Sequence, residues 1–587
     1  MTRLALTSIA YSGRGLIASG QEQVNVYAEV NEGDPEAPVQ VSYYPTPGSI
    51  LFASPNFLKK ARGSYETSTG VGYYIVGQNV YVLTTINTLI FIGAIADRQS
   101  QIYFSDNGLV CVFVDGVNGY VIDLPTNTLN IIVDPNFYGA DFVVLLDTFF
   151  IFNRPLTNQF YISASNASYG MLTNTAIATG TIVGGAAYTN GVYQNVSLTG
   201  GSGTGATANI TITGAAVTAV DIADPGQNYL VGDVLSALAA NIGGTGAGFT
   251  FTITKMLSAF DPLDIAAKSG FNDPIVGIAT VHRELALIGN RTTEIWIGTG
   301  AADFFFQEVQ GAYINHGCAA QYSIATQDIL AFFIMQDQQG NGLVVMLQGY
   351  EVSEISTPRI VTEFKKYITL SDAIGMCFQI EEHAYYALIF PTANKGWLYD
   401  LTTSAKTGAK VWYEWNWTDI NGGLNRPRAN CCMFANGANL VGDWETGDLL
   451  KLDIDTYTDY ASINASNAGV GGNGPIIRVR TFPHLPMGKP GRLSNNRVTY
   501  NSFDADMEVG TAQEGDDPQI FLSWSDDKGK TYGNPVPQSM GKIGEYSVVP
   551  TWNRLGQARD RVFKLQWSTN NKTTLNGAFV EYKQART

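Results

Sequence analysis

Between about Gly72 and Val133 the chain repeats one rhythm, and that rhythm narrows the folds open to it. Tyr73-Tyr74-Ile75-Val76, a Gly77-Gln78-Asn79 turn, Val80-Tyr81-Val82-Leu83 and Leu89-Ile90-Phe91-Ile92-Gly93 follow one another as short apolar runs. Ile102-Tyr103-Phe104, a Ser105-Asp106-Asn107-Gly108 turn, Leu109 through Asp115 and Gly119-Tyr120-Val121-Ile122-Asp123 continue the pattern. Asn, Asp and Gly tolerate positive φ, and runs of this length and spacing belong to hairpin-linked strands. The unit returns at Gly396-Trp397-Leu398-Tyr399-Asp400-Leu401, at Leu440-Val441-Gly442-Asp443 and at Gly447-Asp448-Leu449-Leu450-Lys451-Leu452-Asp453. A Gly, a few apolar residues and a closing Asp suit a propeller blade. The strand buries both faces between neighbouring sheets while the Asp side chain caps the turn. Recurrence over most of the chain favours a propeller over a sandwich, with blade lengths too irregular to count.

Helical signals are sparse. Pro262-Leu263-Asp264-Ile265-Ala266-Ala267-Lys268 and the segment Pro358 to Tyr367 are expected to form single short helices, the first with Pro at its permitted N1 position. From about Ala176 to Thr254 the composition changes: Gly, Ala, Thr and Val dominate and aromatics nearly vanish. Ala208-Asn209-Ile210-Thr211-Ile212-Thr213 alternates as a strand does, and Ala216 to Ile222 makes another. The glycines from Gly200 to Gly205 lack the Gly-Lys-Ser/Thr ending of a phosphate cradle and precede no helix, so they are turn glycines. The expected fold is all-β: a β-propeller-like body, an inserted small β domain and a β-rich C-terminal segment. The expected boundaries are 1–175 and 257–475 for the body, 176–256 for the insertion and 476–587 for the C-terminal segment.

At 587 residues the chain exceeds one ordinary core. Charged residues are 15%, against about 25% in an average soluble protein, while aromatics reach 12%, so disorder does not explain the low charge. The uncharged polar remainder suits large subunit contacts. A net charge of −16 disfavours a general nucleic-acid binder, which needs a basic footprint. That acidity serves either solubility or an acidic conduit wall, and only the placement of the acids distinguishes them. The five cysteines, Cys111, Cys318, Cys377, Cys431 and Cys432, form no spaced framework, and an adjacent pair makes a poor disulfide or zinc knuckle. Reduced thiols and assembly in a cytoplasm follow as expectations. Met1-Thr2-Arg3-Leu4 lacks the apolar core of a signal peptide, and no run of about eighteen apolar residues suggests a membrane span.

His316 and Cys318 stand two apart, but a metal site needs further ligands about one point, so a structural turn is the better reading. Glu381-Glu382 lies in a strand-like run that would aim the two acids to opposite faces, against a catalytic pair. Trp412, Tyr413, Trp415 and Trp417 are expected to pack between sheets rather than stack on sugars. Ser525-Asp526-Asp527-Lys528-Gly529-Lys530-Thr531-Tyr532 matches the Asp-box hairpin, in which Ser and Asp oxygens hold turn N–H groups, Gly takes positive φ and the aromatic anchors the loop. Its structural residues are Ser525, Asp527, Gly529, Thr531 and Tyr532. Sialidase propellers carry several such boxes away from their active sites, so one box speaks for a hairpin and not for hydrolysis. Arg554, Arg559 and Arg561, in the densest basic segment, are candidate interface bases, with carboxylates of the Asp560 type on a neighbouring subunit as partners. No catalytic residue, metal ligand or cofactor is expected.

The opening Gln23-Val24-Asn25-Val26-Tyr27-Ala28-Glu29, leading to Tyr43-Tyr44-Pro45-Thr46-Pro47-Gly48, resembles the tail hub, or nozzle, proteins of short-tailed phages, the packaged-DNA stabilisation family. Asp261 to Asp264, Asp273 to Ile278, Leu285 to Trp296, Gly311 to Ala320, Asp337 to Gly342 and Gly541-Lys542-Ile543-Gly544-Glu545-Tyr546 extend the resemblance over most of the chain outside the insertion. The insertion departs from it and is similar to a small β module of phage tail, fibre and baseplate proteins. The resemblance implies a non-enzymatic virion protein, six copies of which ring the axial channel of a short tail. It implies docking on portal–adaptor proteins, attachment of tail fibres or spikes, retention of packaged DNA and passage of double-stranded DNA without sequence-specific binding. The rival readings are a sialidase-like glycan hydrolase and a receptor-binding propeller.

Overall fold

The computed structural model describes residues 2–7, 21–30, 41–301, 303–337, 340–462, 465, 472–485 and 497–584. Gln338 and Gln339, inside one of the resembling motifs, lie outside the described residues. Strands dominate. They group into two compact units, one comprising Met1–Glu66, Gly72–Ile90 and His316–Thr587, the other Thr67–Val71 and Phe91–Asn315.

The first unit holds antiparallel sheets of the kind that make propeller blades. Ala325–Gln327, Leu330–Gln336, Gly342–Gln348 and Glu351–Glu354 form one, and Ile374–Ile380, His383–Phe390, Lys395–Asp400 and Trp412–Glu414 begin another. Burial grades across the first of these: Ala331 to Ile334 are fully buried, whereas the last strand, Glu351–Glu354, is largely exposed. The strand Gly48–Ala53, from near the start of the chain, pairs with Leu449–Asp453 and so joins the sheet begun by Ala429–Ala435 and Ala438–Asp443, which Thr458–Ala461 and Gly472–Pro475 continue beyond it.

The C-terminal residues build two further sheets around a separate core that includes Tyr43, Phe503, Trp552, Phe563, Leu565, Trp567 and Val580. One sheet joins Val26–Val30, Val41–Pro45, Leu575–Gln584, Val498–Met507 and Thr551–Ala558, with Thr2–Ala5 along Leu575–Gln584. The segment expected as the start of the propeller body within 1–175 therefore contributes three strands here instead, because their apolar faces complete this core. The other sheet runs through Arg478–Thr481, Val562–Trp567, Gln519–Ser525 and Val536–Ser539. A two-residue strand, Gln23–Val24, joins it to the blade sheet, pairing parallel with Glu414 and antiparallel with Arg480 and Val479.

In the second unit, Tyr103–Asp106, Val110–Val114, Gly119–Asp123 and Thr128–Ile131 form a four-stranded meander with the same grading. Ile275–Val281, Glu284–Gly289, Thr293–Gly298 and Phe306–Ile314 form a second, and Val143–Leu146, Phe149–Asn153 and Gln159–Ile162 a third. The third is completed by Ile265–Ala267, which lies in the segment Pro262 to Lys268 expected as a helix. An open sheet edge outweighs the local N1 proline signal. Between these two parts, Ile177–Ala186, Gly191–Gly200, Thr207–Thr213, Ala216–Asp224, Val234–Ala237 and Ala247–Met256 form a six-stranded sheet. It has its own apolar cluster, including Leu198, Ile210, Phe249, Phe251 and Ile253. Its few aromatics sit in that cluster, where Tyr188, Tyr229, Phe249 and Phe251 are buried beside Ile and Val side chains.

Turn chemistry behaves as the residues dictate. Asp115 Oδ1 accepts from the N–H groups of Val117 and Asn118 at 3.0 and 2.7 Å, and Asp443 Oδ1 accepts from that of Glu445 at 2.7 Å. Asn436-Gly437, both at positive φ, make a two-residue hairpin between Ala435 and Ala438. Glu381 and Glu382 are likewise a hairpin tip, between Ile380 and His383, and not the strand residues expected; Glu381 has φ +51° and both are exposed. Of the short helices, Pro358–Phe364 forms, capped by Thr357, whose side chain accepts from Ile360 N. Leu401–Thr407 forms too, with Asp400 as N-cap and Gly408 closing it at φ +67°.

Candidate functional site

Of the sequence-predicted residues, the Asp-box and Arg561 meet at one edge of the C-terminal core. Strand Gln519–Ser525 runs into the Asp-box, where Ser525 Oγ donates to Asp527 Oδ1 at 2.6 Å and itself accepts from Gly529 N at 2.8 Å. Asp527 Oδ1 also accepts from the N–H groups of Lys530 and Thr531 at 3.0 and 2.9 Å, and Oδ2 from Thr531 Oγ1 at 2.6 Å. These bonds stabilise the carboxylate and hold its carboxyl well below the ordinary range, Ser525 contributing most. Gly529 takes φ +85°, a conformation that costs a residue with a Cβ. Tyr532 anchors the loop under Lys564, whose ammonium lies 5.2 Å from the ring centroid, and burial pushes its hydroxyl up to about 12.

Arg561 does not stand on the surface as an interface base. It is 2% exposed, its Nε and Nη2 bond the two oxygens of Asp526 at 2.6 and 2.8 Å, and Nη1 bonds Leu555 O at 2.5 Å. Its guanidinium also lies over the rings of Tyr500, Trp524 and Phe563. A planar, weakly hydrated cation with a bidentate partner can be buried this way. Asp560 bonds His484 within the chain at 3.2 Å, rather than being kept for a neighbouring subunit. Arg554 and Arg559 are exposed, Arg554 at φ +61° where Thr551–Ala558 bulges against Tyr500 to Ser502. The structure thus joins the Asp-box to Arg561 through Asp526, an acid inside the motif to which sequence reasoning gave no role.

The features weighed for catalysis are occupied elsewhere. Cys318 is buried, its Sγ donates to Ala320 O at 3.1 Å, and burial pushes the thiol up to about 12, the wrong direction for a nucleophile. Among the described residues no group of three His, Cys, Asp or Glu side chains is placed to hold a metal. Tyr413, Trp415 and Trp417 are buried, and the half-buried Trp412 donates its Nε1–H to Ile355 O at 2.8 Å, so these rings do not form a sugar platform. The glycine loop before Thr207–Thr213 is held by Asp233, which accepts from Ser202 N and Oγ at 3.0 and 2.6 Å, and that carboxylate would repel a phosphate. No helix among the described residues is long and apolar enough to cross a membrane.

Two family models match the chain. Residues 229–457 match the model described as Bacteriophage P22 Gp10, beta-propeller, and residues 489–583 the model described as Bacteriophage P22 Gp10, beta-sandwich. No curated protein sequence matches. Among solved structures, a streptogramin B lyase is 10% identical with TM-score 0.28, covering 69% of this chain and 96% of that one. The β-propeller domain of Myceliophteria thermophila Cps50 (Swd1) is 8% identical with TM-score 0.25, covering 69% of this chain and 99% of that one. Dipeptidyl peptidase 4 of Porphyromonas gingivalis is 9% identical with TM-score 0.24, covering 80% and 65%. At such TM-scores these likenesses carry no argument.

Proposed function

We propose, from the premise that this chain belongs to the bacteriophage P22 Gp10 family and is a structural protein of a phage tail, that it is a subunit of the ring-shaped hub, or nozzle, of a short tail. The observation that carries this reading is the matched pair of propeller and sandwich models in chain order. The wiring between blade sheet and sandwich sheet through Gln23–Val24 supports it, since a load-bearing ring needs its domains tied. In this reading six copies surround an axial channel that extends the portal–adaptor complex, retains packaged DNA and conducts it at ejection. Tail fibres or spikes attach outside, and assembly takes place in the host cytoplasm. Residues 176–256 form a separate inserted module, and 476–587 with the opening strands form the sandwich. The chain itself performs no catalysis and uses no cofactor or metal.

The test is electron microscopy of the purified protein, alone and mixed with its portal–adaptor complex. Rings alone or on that template are expected. A protein that stays monomeric on the complex overturns the hub reading.

A further inference from the structure

We infer that one buried water is held in a polar cavity of the first unit, bridging Arg428, Asn416 and Asp459 where strand Gly48–Ala53 meets Thr458–Ala461. The cavity has room of about 20 Å³ for a water-sized sphere and is lined by Ser49, Asn416, Arg428 and Asp459 among apolar neighbours including Trp415 and Trp417. By that measure a water needs about 10–15 Å³ and two to four polar partners.

The lining supplies those partners. Asn416 is 1% exposed, and neither its Nδ2 nor its Oδ1 has a hydrogen-bond partner among the described residues. Arg428 is 4% exposed; its Nε bonds Asp443, its Nη2 bonds Asp443 and Glu445, and its Nη1 is without a partner among the described residues. A buried donor or acceptor left unmade costs as much as a lost hydrogen bond. Donors and acceptors are mixed, and this selects the ligand. The guanidinium repels a cation and the Asp459 carboxylate repels an anion, whereas a water accepts from Arg428 Nη1 and donates to Asn416 Oδ1 or Asp459.

The placement gives the water a task. Asp459, in Thr458–Ala461, stands beside Ser49 of strand Gly48–Ala53 and accepts from its Oγ at 2.9 Å. Asn416 follows the blade strand Trp412–Glu414, and its backbone N–H is held by Asn25 Oδ1 at 2.8 Å. One molecule therefore couples Asp459, bonded to Ser49 of strand Gly48–Ala53, to the segment that follows blade strand Trp412–Glu414.

A high-resolution crystal structure of the full chain, with a second crystal soaked in bromide, tests this. An electron-density peak within hydrogen-bonding distance of Arg428 Nη1 and the Asn416 amide, without anomalous signal after the soak, is the expected result. No peak, or a bromide peak, overturns the inference. Asn416→Leu should expel the water and lower the thermal midpoint, whereas Asn416→Ser should keep the peak and lower the midpoint less. An Asn416→Leu variant as stable as the parent would mean that the cavity is dry, and the inference fails.

Discussion

Arg561 lays two nitrogens of its guanidinium on the carboxylate of Asp526, 35 positions earlier in the chain, at 2.6 and 2.8 Å. The arginine is buried and the aspartate half-exposed, so the bond stands at the margin of the C-terminal core. Asp526→Ala leaves a buried cation with the Leu555 carbonyl as its remaining strong partner. It is expected to cost about 1–3 kcal/mol, with Asp526→Asn costing less because one acceptor survives. Chemical denaturation followed by tryptophan fluorescence checks this, Trp524 lying against Arg561; equal stability of all three proteins would contradict it.

Asn25 should prove more sensitive than its size suggests. It is fully buried at φ +53°, accepts from Asn416 N at 2.8 Å and donates to Ile477 O at 2.9 Å, while its own N–H bonds Glu414 O at 2.9 Å. Asn25→Gly keeps the backbone conformation and loses the two side-chain bonds, at about 1–3 kcal/mol for each buried group left unpaired. Asn25→Ala adds roughly 1–2 kcal/mol of left-handed strain. The ordering parent, Gly, Ala in denaturation midpoint is the expected outcome, and Ala matching Gly would count against the strain argument.

Burial pushes the Asp459 carboxyl up to about 6, against an ordinary value of about 4. A carboxyl with a raised folded pKa favours the folded state when protonated. Its contribution is therefore complete below about pH 4 and is lost as pH rises to about 6. Asp459→Asn keeps an acceptor for Ser49 and removes the titration, so the stability of the variant should decline less than that of the parent across that interval. Parallel melts at pH 4, 5, 6 and 7 measure it; identical pH profiles would refute the assignment.

Entry and exit of the inserted sheet meet at one place: Leu257 N donates to Ala176 O at 2.8 Å, and Ile177 pairs with Met256. Deleting residues 176–256 with a short Gly/Ser join should leave a folded body, because the module buries its own core. Loss of an outer appendage is the expected functional defect. Collapse of the body on heating, compared with the parent, would place the module within the main core.

The assembled ring should bind double-stranded DNA weakly and without steep salt dependence. Lysines or arginines lining a channel would add phosphate contacts and slow passage, and 51 acids against 35 bases allow an acidic or neutral wall. Filter binding across a salt series is the check. Tight, salt-sensitive binding, or a continuous basic lumen in a structure of the ring, would defeat the prediction.

Local patterns were legible in the chain because their causes are local. Runs such as Val110–Val114 and Gly119–Asp123, with their Asp-capped turns, declare buried strands through composition and turn chemistry alone, and the aromatic-poor stretch after Ala176 marks a separate small core. The Asp-box likewise depends on neighbours within a few residues. What the tertiary structure decided depends on partners tens to hundreds of positions away. Pairing with Gln159–Ile162 made Ile265–Ala267 a strand where local propensity favoured a helix. Gly48–Ala53 is inserted into a sheet begun at Ala429, and Val26–Val30 and Val41–Pro45 join the C-terminal core. Arg561, with the same charge as the exposed Arg554 and Arg559, is buried because Asp526 and three aromatic rings converge on it. Such placements follow from open edges and unpaired charges seeking partners in space, and sequence spacing carries no record of that search.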